Sequence, residues 1–310
     1  MDDFGTLTGN AVSLCKARIW EILFGILLFS AVISSANNYL IQKTDYVVRR
    51  DILSAGIPEE RFNELNKRME EGDSEAFEEL QTEMMKVSDA LENMREEEKY
   101  EFFAKQSKQI AIGLFPFVLF TGIIIIFIQI FSAAFFLIIA SSNNNILQAL
   151  KSALGNIIPF AALAILIFIR SLIWIPLIVL ALAAAVLPFP MLILDSLAML
   201  SAIAIAFCFF FLLPKYVFSG LYFLKGGPTV SVSIKESTRL ASGNIKEVNT
   251  YYAIIFLWTV FIAGFISSIT PDSGFIHLFL KSIAWKTGFA FASVFTVILF
   301  AELNAGGNKS

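Results

Sequence analysis

IAIGLFPFVLFTGIIIIFIQIFSAAFFLII, the stretch from residue 110 to residue 139, contains no Asp, Glu, Lys or Arg. A hydrocarbon core of about 30 Å needs roughly 20 apolar residues in a helix, so this stretch is long enough to cross a bilayer with tilt. The chain of 310 residues is 57% hydrophobic and 16% charged, whereas soluble domains average about 25% charged residues. The composition therefore predicts an all-α integral membrane protein.

Apolar runs of spanning length recur along the chain. They cover residues 19–40, 110–139, 157–187, 191–213, 251–269 and 283–303. Pro116 and Pro176 lie inside the second and third runs, where a proline can kink a helix. Pro188-Phe189-Pro190 is the sharpest break and predicts the tip of a tight hairpin. The runs predict a polytopic protein with six transmembrane helices.

Charge is concentrated between the first two runs. Residues 43–108 hold 18 of the 26 acidic residues and 11 of the 23 basic residues. We therefore interpret residues 1–41 as an N-terminal interfacial helix with span 1, residues 42–108 as a soluble charged helical hairpin, and residues 109–310 as spans 2 to 6. The insertion is expected to form a stalk between spans 1 and 2.

The insertion contains a heptad-like apolar pattern. Its residues alternate at spacings of three and four, which is typical of a coiled-coil seam: Phe77, Leu80, Met84, Val87, Leu91 and Met94. The pattern fits an antiparallel hairpin that closes on itself. It also fits a seam completed by a second copy or by another protein, so residues 58–108 are a candidate surface for self-association or partner binding.

A short motif occurs twice in the apolar part of the chain. Residues 151–157 (KSALGNI) and 239–245 (RLASGNI) share the pattern K/R-x-A-x-G-N-I. Each copy closes an amphipathic stretch, near 146–156 and 229–243, and we expect both stretches to lie in the membrane interface with Lys151 and Arg239 as anchors. With a weaker copy at residues 11–19, the motif predicts three repeated units, each an interfacial helix followed by a two-span hairpin.

The segments LPKY (213–216), GGP (226–228) and SIKESTRLASGN (233–244) form a pattern that resembles a family. The family is a broad group of poorly characterised six-span prokaryotic membrane proteins, similar to the membrane domain attached to some glycerophosphodiester phosphodiesterases. The charged insertion departs from that group's short first loop, and no phosphodiesterase domain is recognisable here. The resemblance implies a fold and a membrane location, and it carries over no catalytic residue.

The distribution of basic residues predicts the orientation in the plasma membrane. Nine Lys and Arg residues lie in the N-terminal segment, the two interfacial connectors and the C-terminal segment, and fewer lie close to the spans on the opposite side. Since positively charged flanks favour the cytoplasmic side, we expect both termini in the cytoplasm and residues 42–108 outside it.

Two charged residues inside predicted spans are candidates for a functional role. Arg170 lies 14 residues after Asn156, about 21 Å along a helix, so it must snorkel, line a polar cavity or pair with an acid. Asp195 is a candidate partner by charge. In a plain hairpin turning at Phe189 the two differ by about 20 Å in height, so they meet only if the chain folds back near Pro176.

Functional motifs are scarce in this sequence. It lacks the metalloprotease, P-loop and serine-hydrolase motifs, and its single histidine, His277, cannot form a metal site alone, so we expect neither metal nor cofactor. An excess of acidic residues argues against a nucleic acid partner. The sequence favours a membrane scaffold, assembly or partner-binding protein without catalytic activity. A transporter or channel-like protein that uses Arg170 and Asp195, and a lipid-active enzyme, are the alternatives.

Overall fold

The regular structure of the chain is helical. A computed structural model describes residues 4–54, 59–70, 73–93, 95–171, 175–176, 200–201, 204, 212–226, 229–269 and 274–307, and no strand occurs within these ranges. The helices are α1 Phe4–Ala17, α2 Ile19–Ser54, α3 Glu59–Glu70, α4 Ser74–Glu92, α5 Glu96–Ser141, α6 Ile146–Gly155, α7 Ile157–Arg170, α8 Ser219–Leu224, α9 Val230–Gly243, α10 Ile245–Ile269 and α11 Phe275–Gly307. A 3₁₀ turn at Leu213–Tyr216 precedes α8.

Several of these helices are long and apolar enough to cross a membrane. The described residues contain four such stretches: Ile19–Val47 in α2, Lys108–Ser141 in α5, Ile245–Ile266 in α10 and Phe275–Ala305 in α11. The pair α6 and α7, bent by 61°, adds a fifth if it forms one broken span. An all-helical chain with several spanning helices, as expected of a multi-pass membrane protein, is therefore confirmed.

The third predicted run is interrupted. Helix α7 ends at Arg170, and the backbone N–H of Ser171 donates to the carbonyls of Ile167 and Ile169 in its C-cap. The predicted hairpin tip at residues 188–190, Asp195 and most of the run 191–213 lie outside the described residues. By contrast, Pro116 lies inside α5 without ending it.

The chain divides into two compact units, here called the membrane unit and the hairpin unit. The membrane unit comprises Met1–Ser34 and Ile126–Ser310, and the hairpin unit comprises Ser35–Ile125. These boundaries lie inside α2 and α5, whereas the change in polarity suggested boundaries at 41/42 and 108/109. Helix hydrogen bonds need no apolar side chains, so both helices extend beyond their apolar runs into charged sequence.

Aromatic side chains fill the core of the membrane unit. The Phe29 ring of α2 packs edge-on against Phe135 and Phe136 of α5, with centroids 5.5 and 5.9 Å apart. Gly25, one turn before Phe29, allows this approach, because a Cβ there would lie 2.5 Å from the Phe135 ring. Helices α2 and α5 therefore pack closely because a small residue faces two large ones.

Three helix pairs in the membrane unit share one kind of junction. A single residue separates α1 from α2 (Arg18), α6 from α7 (Asn156) and α9 from α10 (Asn244). The Asn156 side-chain amide donates to the Ser152 carbonyl at 2.8 Å, and that of Asn244 donates to the Leu240 carbonyl at 3.0 Å. The Ser152 carbonyl thus accepts from both the backbone N–H and the side chain of Asn156, whereas the Asn244 backbone N–H donates to Ala241 and only its side chain reaches the Leu240 carbonyl.

The hairpin unit holds the predicted α3–α4 hairpin. Its small core consists of Leu65, Ala76 and Leu80, with Met69 packed against them. Asp73 caps the turn: its Oδ1 accepts from the backbone N–H of Glu75 at 2.9 Å. The hairpin is therefore closed by its own apolar residues.

The predicted seam is only partly described. Leu80 is buried against α3, whereas Phe77 is 59% exposed. Met84, Val87 and Leu91 lie on α4, but their side chains, like all of Met94, fall outside the described part of the chain. Helix α4 ends at Glu92, and a separate helix, α5, begins at Glu96. Phe77 and Leu80 thus face different surroundings.

Candidate intramembrane lysine site

A lysine is buried among the spanning helices of the membrane unit. Lys286 lies on α11, eleven residues after Phe275, which is about 16 Å along the helix. Only 2% of its surface is exposed. An ammonium group this far inside an apolar span is costly and marks a functional site by default.

Helix α5 supplies two oxygen atoms to this lysine. Lys286 Nζ donates to Gln129 Oε1 at 2.7 Å and to Ser132 Oγ at 2.6 Å. The Ser132 hydroxyl donates its own hydrogen to the backbone carbonyl of Gln129 at 3.0 Å. Because that hydrogen is engaged, the Ser132 oxygen is oriented as an acceptor for the ammonium group.

Two aromatic rings form the apolar walls of the site. Lys286 Nζ lies 5.8 Å from the Phe29 ring centroid and 5.3 Å from that of Phe289. A desolvated ammonium near an aromatic face gains about 2 kcal/mol from the electrons of the ring. Since Phe29 belongs to α2, the site joins the first span to α5 and α11.

The balance of charge at this site is unusual for a membrane interior. The ammonium group has three N–H donors, and the contacts above engage two of them. No carboxylate in the described ranges forms an ion pair with Lys286. Burial of an ion costs several kcal/mol, and neutral oxygens compensate this less fully than a counter-ion does. The site is therefore chemically suited to receive a negative charge.

Two further polar groups are buried on α2 near Phe29. Ser30 and Ser34 are 0% exposed and lie one turn apart on the helix. Neither hydroxyl has a hydrogen-bond partner within the described ranges. Buried hydroxyls of this kind are places where water or a polar solute would be stabilised.

Sequence reasoning did not find this site. In the sequence, Lys286 lies only three residues inside the last apolar run, which begins at residue 283, and this position is typical of a lysine near the membrane surface. The structure starts the helix eight residues earlier, at Phe275, which moves Lys286 three turns inside it. The available signal was one lysine within a stretch otherwise apolar enough to span.

The charged residues that the sequence singled out lie elsewhere. Arg170 is the last residue of α7 and is exposed, and its proposed meeting with Asp195 stays a prediction because Asp195 is outside the described residues. Lys151 is exposed on α6. The Arg239 side chain is 79% exposed and pairs with Glu236 on the same helix at 2.8 Å. None of the three contacts Lys286.

The described residues offer no cluster of three or more His, Cys, Asp or Glu side chains that could hold a metal ion.

No protein-family model matches the chain, and no curated protein or solved structure matches it either. The functional argument therefore rests on the geometry of this molecule.

Proposed function

We propose that this protein is a multi-pass membrane transporter or channel-like protein that passes a small anion, with Lys286 as its central binding group. The observation that carries the proposal is the burial of the Lys286 ammonium beside Gln129 and Ser132 with no ion-paired carboxylate in the described part. The sequence suggested a transporter that uses Arg170 and Asp195. We propose Lys286 as the binding residue in their place.

The architecture proposed from the sequence fits this role. We keep six spans arranged as three units, each an interfacial helix followed by a hairpin, with both termini in the cytoplasm. The three single-residue junctions at Arg18, Asn156 and Asn244 support the repeat. Internal repeats with bent helices and a binding site within the bundle are common in secondary transporters.

Flux measurements in proteoliposomes test the proposed function. The full chain is reconstituted, and efflux of chloride, acetate or phosphate is followed after valinomycin sets a potassium diffusion potential. We expect at least one of these anions to leave faster than from protein-free vesicles. Lys286→Met should reduce that efflux at least tenfold, whereas Lys286→Arg should retain a measurable part because it keeps the charge.

Lys281→Met is the matched control, because it removes the same charge from an exposed position on the same helix. It should leave the efflux unchanged. The proposal fails if none of the three anions crosses faster than in empty vesicles, or if Lys286→Met conducts like the wild type. If Lys286 only supported the fold, Lys286→Met would conduct like the wild type as long as its melting temperature is unchanged.

A membrane scaffold that binds a protein partner is the second candidate function. It is favoured by the exposure of two large apolar side chains on α4, Phe77 (59% exposed) and Met85 (62% exposed). Exposed apolar residues on a charged helix are suited to a partner surface. A photo-crosslinking amino acid at position 77 in intact cells should then give a discrete adduct, whereas one at Lys67, on the charged surface of α3, should not.

The proposed orientation is open to a direct test. Single cysteines at Ser88 on α4 and at Ser242 on α9 are introduced after Cys15 and Cys208 are removed. An impermeant maleimide applied to intact cells should label Ser88→Cys alone if the hairpin is extracytoplasmic. Labelling of Ser242→Cys alone would invert the topology.

A further inference from the structure

An open cavity separate from the lysine site lies in the membrane unit, beside α8, α9 and the end of α11. Its volume is about 440 Å³, within the range of small-molecule sites. Its lining includes Tyr222, Lys225, Glu236, Phe300 and Asn304. The cavity therefore combines a cation, a carboxylate, a phenol and an amide.

Lys225 and Tyr222, which line this cavity, both contact the aromatic ring of Phe300. The Lys225 Nζ atom lies 4.6 Å from the centroid of the Phe300 ring. The Tyr222 ring packs edge-on against the same ring, with centroids 4.9 Å apart. The ammonium and the phenol are thus placed on one wall by contacts to α11.

A carboxylate lies on the α9 side of the cavity. Glu236 pairs through Oε2 with Arg239, which is 79% exposed and lies one turn further along the helix. The other oxygen, Oε1, has no partner in the described part of the chain. One carboxylate oxygen therefore stays available to a ligand.

The position along the helices places the cavity near the membrane surface. Phe300 and Asn304 are close to the end of the spanning stretch Phe275–Ala305. Helix α9 is amphipathic and precedes the spanning stretch Ile245–Ile266. Helices of this kind lie at the boundary between head groups and acyl chains.

We propose that this cavity binds the phosphodiester headgroup of an amine-bearing phospholipid of the phosphatidylethanolamine class. The phosphate would lie against Lys225 and the Tyr222 hydroxyl, where a charge-assisted hydrogen bond forms. The ammonium of the headgroup would lie against Glu236. A glycerol headgroup carries no cation for this carboxylate, so the charges of the cavity favour the amine.

Native mass spectrometry of the full chain in detergent tests this proposal. Equal amounts of phosphatidylethanolamine and phosphatidylglycerol are added, and the bound lipid is counted. We expect about tenfold more phosphatidylethanolamine, the ratio that one charge-assisted hydrogen bond provides. Glu236→Gln should remove this preference, and Lys225→Met should lower the binding of both lipids about tenfold.

Lys235→Met is the matched control, because Lys235 is exposed on α9 and does not line the cavity. It should bind both lipids as the wild type does. Equal binding of the two lipids by the wild type overturns the proposal, and this result needs no variant to fold. Wild-type binding by folded Lys225→Met also overturns it.

A competition experiment separates a lipid from a soluble phosphodiester. Glycerophosphoethanolamine has the same headgroup without acyl chains. At a concentration equal to that of the lipid, it should displace little phosphatidylethanolamine, because the chains add apolar contacts. Complete displacement would assign the cavity to a soluble ligand and overturn the lipid proposal.

Discussion

The membrane unit and the hairpin unit use basic residues in opposite ways. Lys286 is 2% exposed and is held by the neutral oxygens of Gln129 and Ser132. In the hairpin unit, the Arg68 side chain is 30% exposed and pairs with the Asp73 and Glu79 carboxylates at 2.8 and 3.1 Å. Of these two charges, the one that is harder to hold thus has the weaker charge compensation, which suggests a role other than stability.

The two units also differ in how their helices approach one another. In the membrane unit, Gly288 of α11 lies so close to Thr259 of α10 that an added Cβ atom would collide with the threonine side chain. In the hairpin unit, α3 and α4 are joined by a few apolar side chains and by ion pairs of Arg61 and Arg68. Lipid gives helices no hydrophobic reason to associate, so close packing of small residues takes over that role.

The largest effect on stability is expected from removing both acceptors of Lys286. The double substitution Gln129→Leu with Ser132→Ala should lower the free energy of unfolding by about 3–4 kcal/mol, because it leaves a buried ammonium unsatisfied. Adding Lys286→Met should recover most of the loss, because no buried charge then remains. Unfolding in mixed detergent micelles measures all three variants.

Near-wild-type stability of the Gln129→Leu with Ser132→Ala variant would contradict this contrast between the units. It would mean that the ammonium reaches water or another partner. If the double variant is instead destabilised, the triple variant distinguishes an unsatisfied ammonium from a simple packing defect, since a packing defect would not be rescued by Lys286→Met.

The next effect concerns the contact between α10 and α11. Gly288→Ala should cost about 2–3 kcal/mol through overpacking, because the Thr259 side chain is β-branched and stiff. Gly264→Ala on α10 is the matched control: no atom lies within 4 Å of its added Cβ. It should melt at the same temperature as the wild type or higher, since alanine favours the helix. Equal melting of both variants would show that the close approach is not maintained.

A smaller effect should separate a buried position of the hairpin unit from an exposed one. Leu65 is 0% exposed against Leu80, so Leu65→Ala should weaken the α3–α4 hairpin by about 2 kcal/mol. Phe77→Ala should change its stability by less than about 0.5 kcal/mol, because Phe77 is exposed. Hydrogen exchange across residues 59–92 of the full chain measures both changes.

The Phe77→Ala variant also tests the hypothesis that the protein is a scaffold. If Phe77→Ala lowers the protection of α4 as much as Leu65→Ala does, the seam is closed at this position in solution, by a second copy or by a partner. Exchange measured at two protein concentrations separates these cases, since only self-association depends on the concentration of this chain.

The smallest expected effect is a dependence of the hairpin on pH. The hydrogen bond and charge of Arg68 hold the pKa of Asp73 below the usual range of an aspartate, and the backbone N–H of Glu75 adds to this. A lowered pKa in the folded state stabilises the hairpin above the ordinary pKa of about 3.9. This contribution is lost as the pH falls through the lower, folded-state pKa of Asp73.

The measurement is the opening free energy of α3–α4 from hydrogen exchange, corrected for the intrinsic pH dependence of exchange. Asp73→Asn should flatten the acid part of the curve, because asparagine cannot titrate. An unchanged curve in this variant would assign the acid sensitivity of the hairpin to other carboxylates.

Several features of the fold could be predicted from local sequence. The uncharged run at residues 110–139 lies within one helix because an apolar stretch in lipid must satisfy its own backbone hydrogen bonds. The K/R-x-A-x-G-N-I motif marked both Asn junctions, where helices end and restart at Asn156 and Asn244. The positions of helix ends were less predictable, since α2 and α11 extend well beyond their apolar runs.

The candidate site could not be found in this way. Arg170 was singled out for its depth in an apolar run, but depth counted from sequence depends on where a helix ends, and α7 ends at that residue. Lys286 gave the weaker signal because it lay only three residues inside its run. The spacing of charges along one helix does not show which neighbouring helix supplies their acceptors.

The sequence by itself thus determined that the chain is helical, with several apolar segments long enough to span a membrane and a charged hairpin after the first of them, because hydrophobicity and charge act locally along the chain. Only the tertiary structure decided that Lys286 meets Gln129, 157 residues away along the chain, and that Leu80 is buried while Phe77 is exposed. Such contacts depend on the packing of side chains between helices, and no pattern within a single helix encodes them.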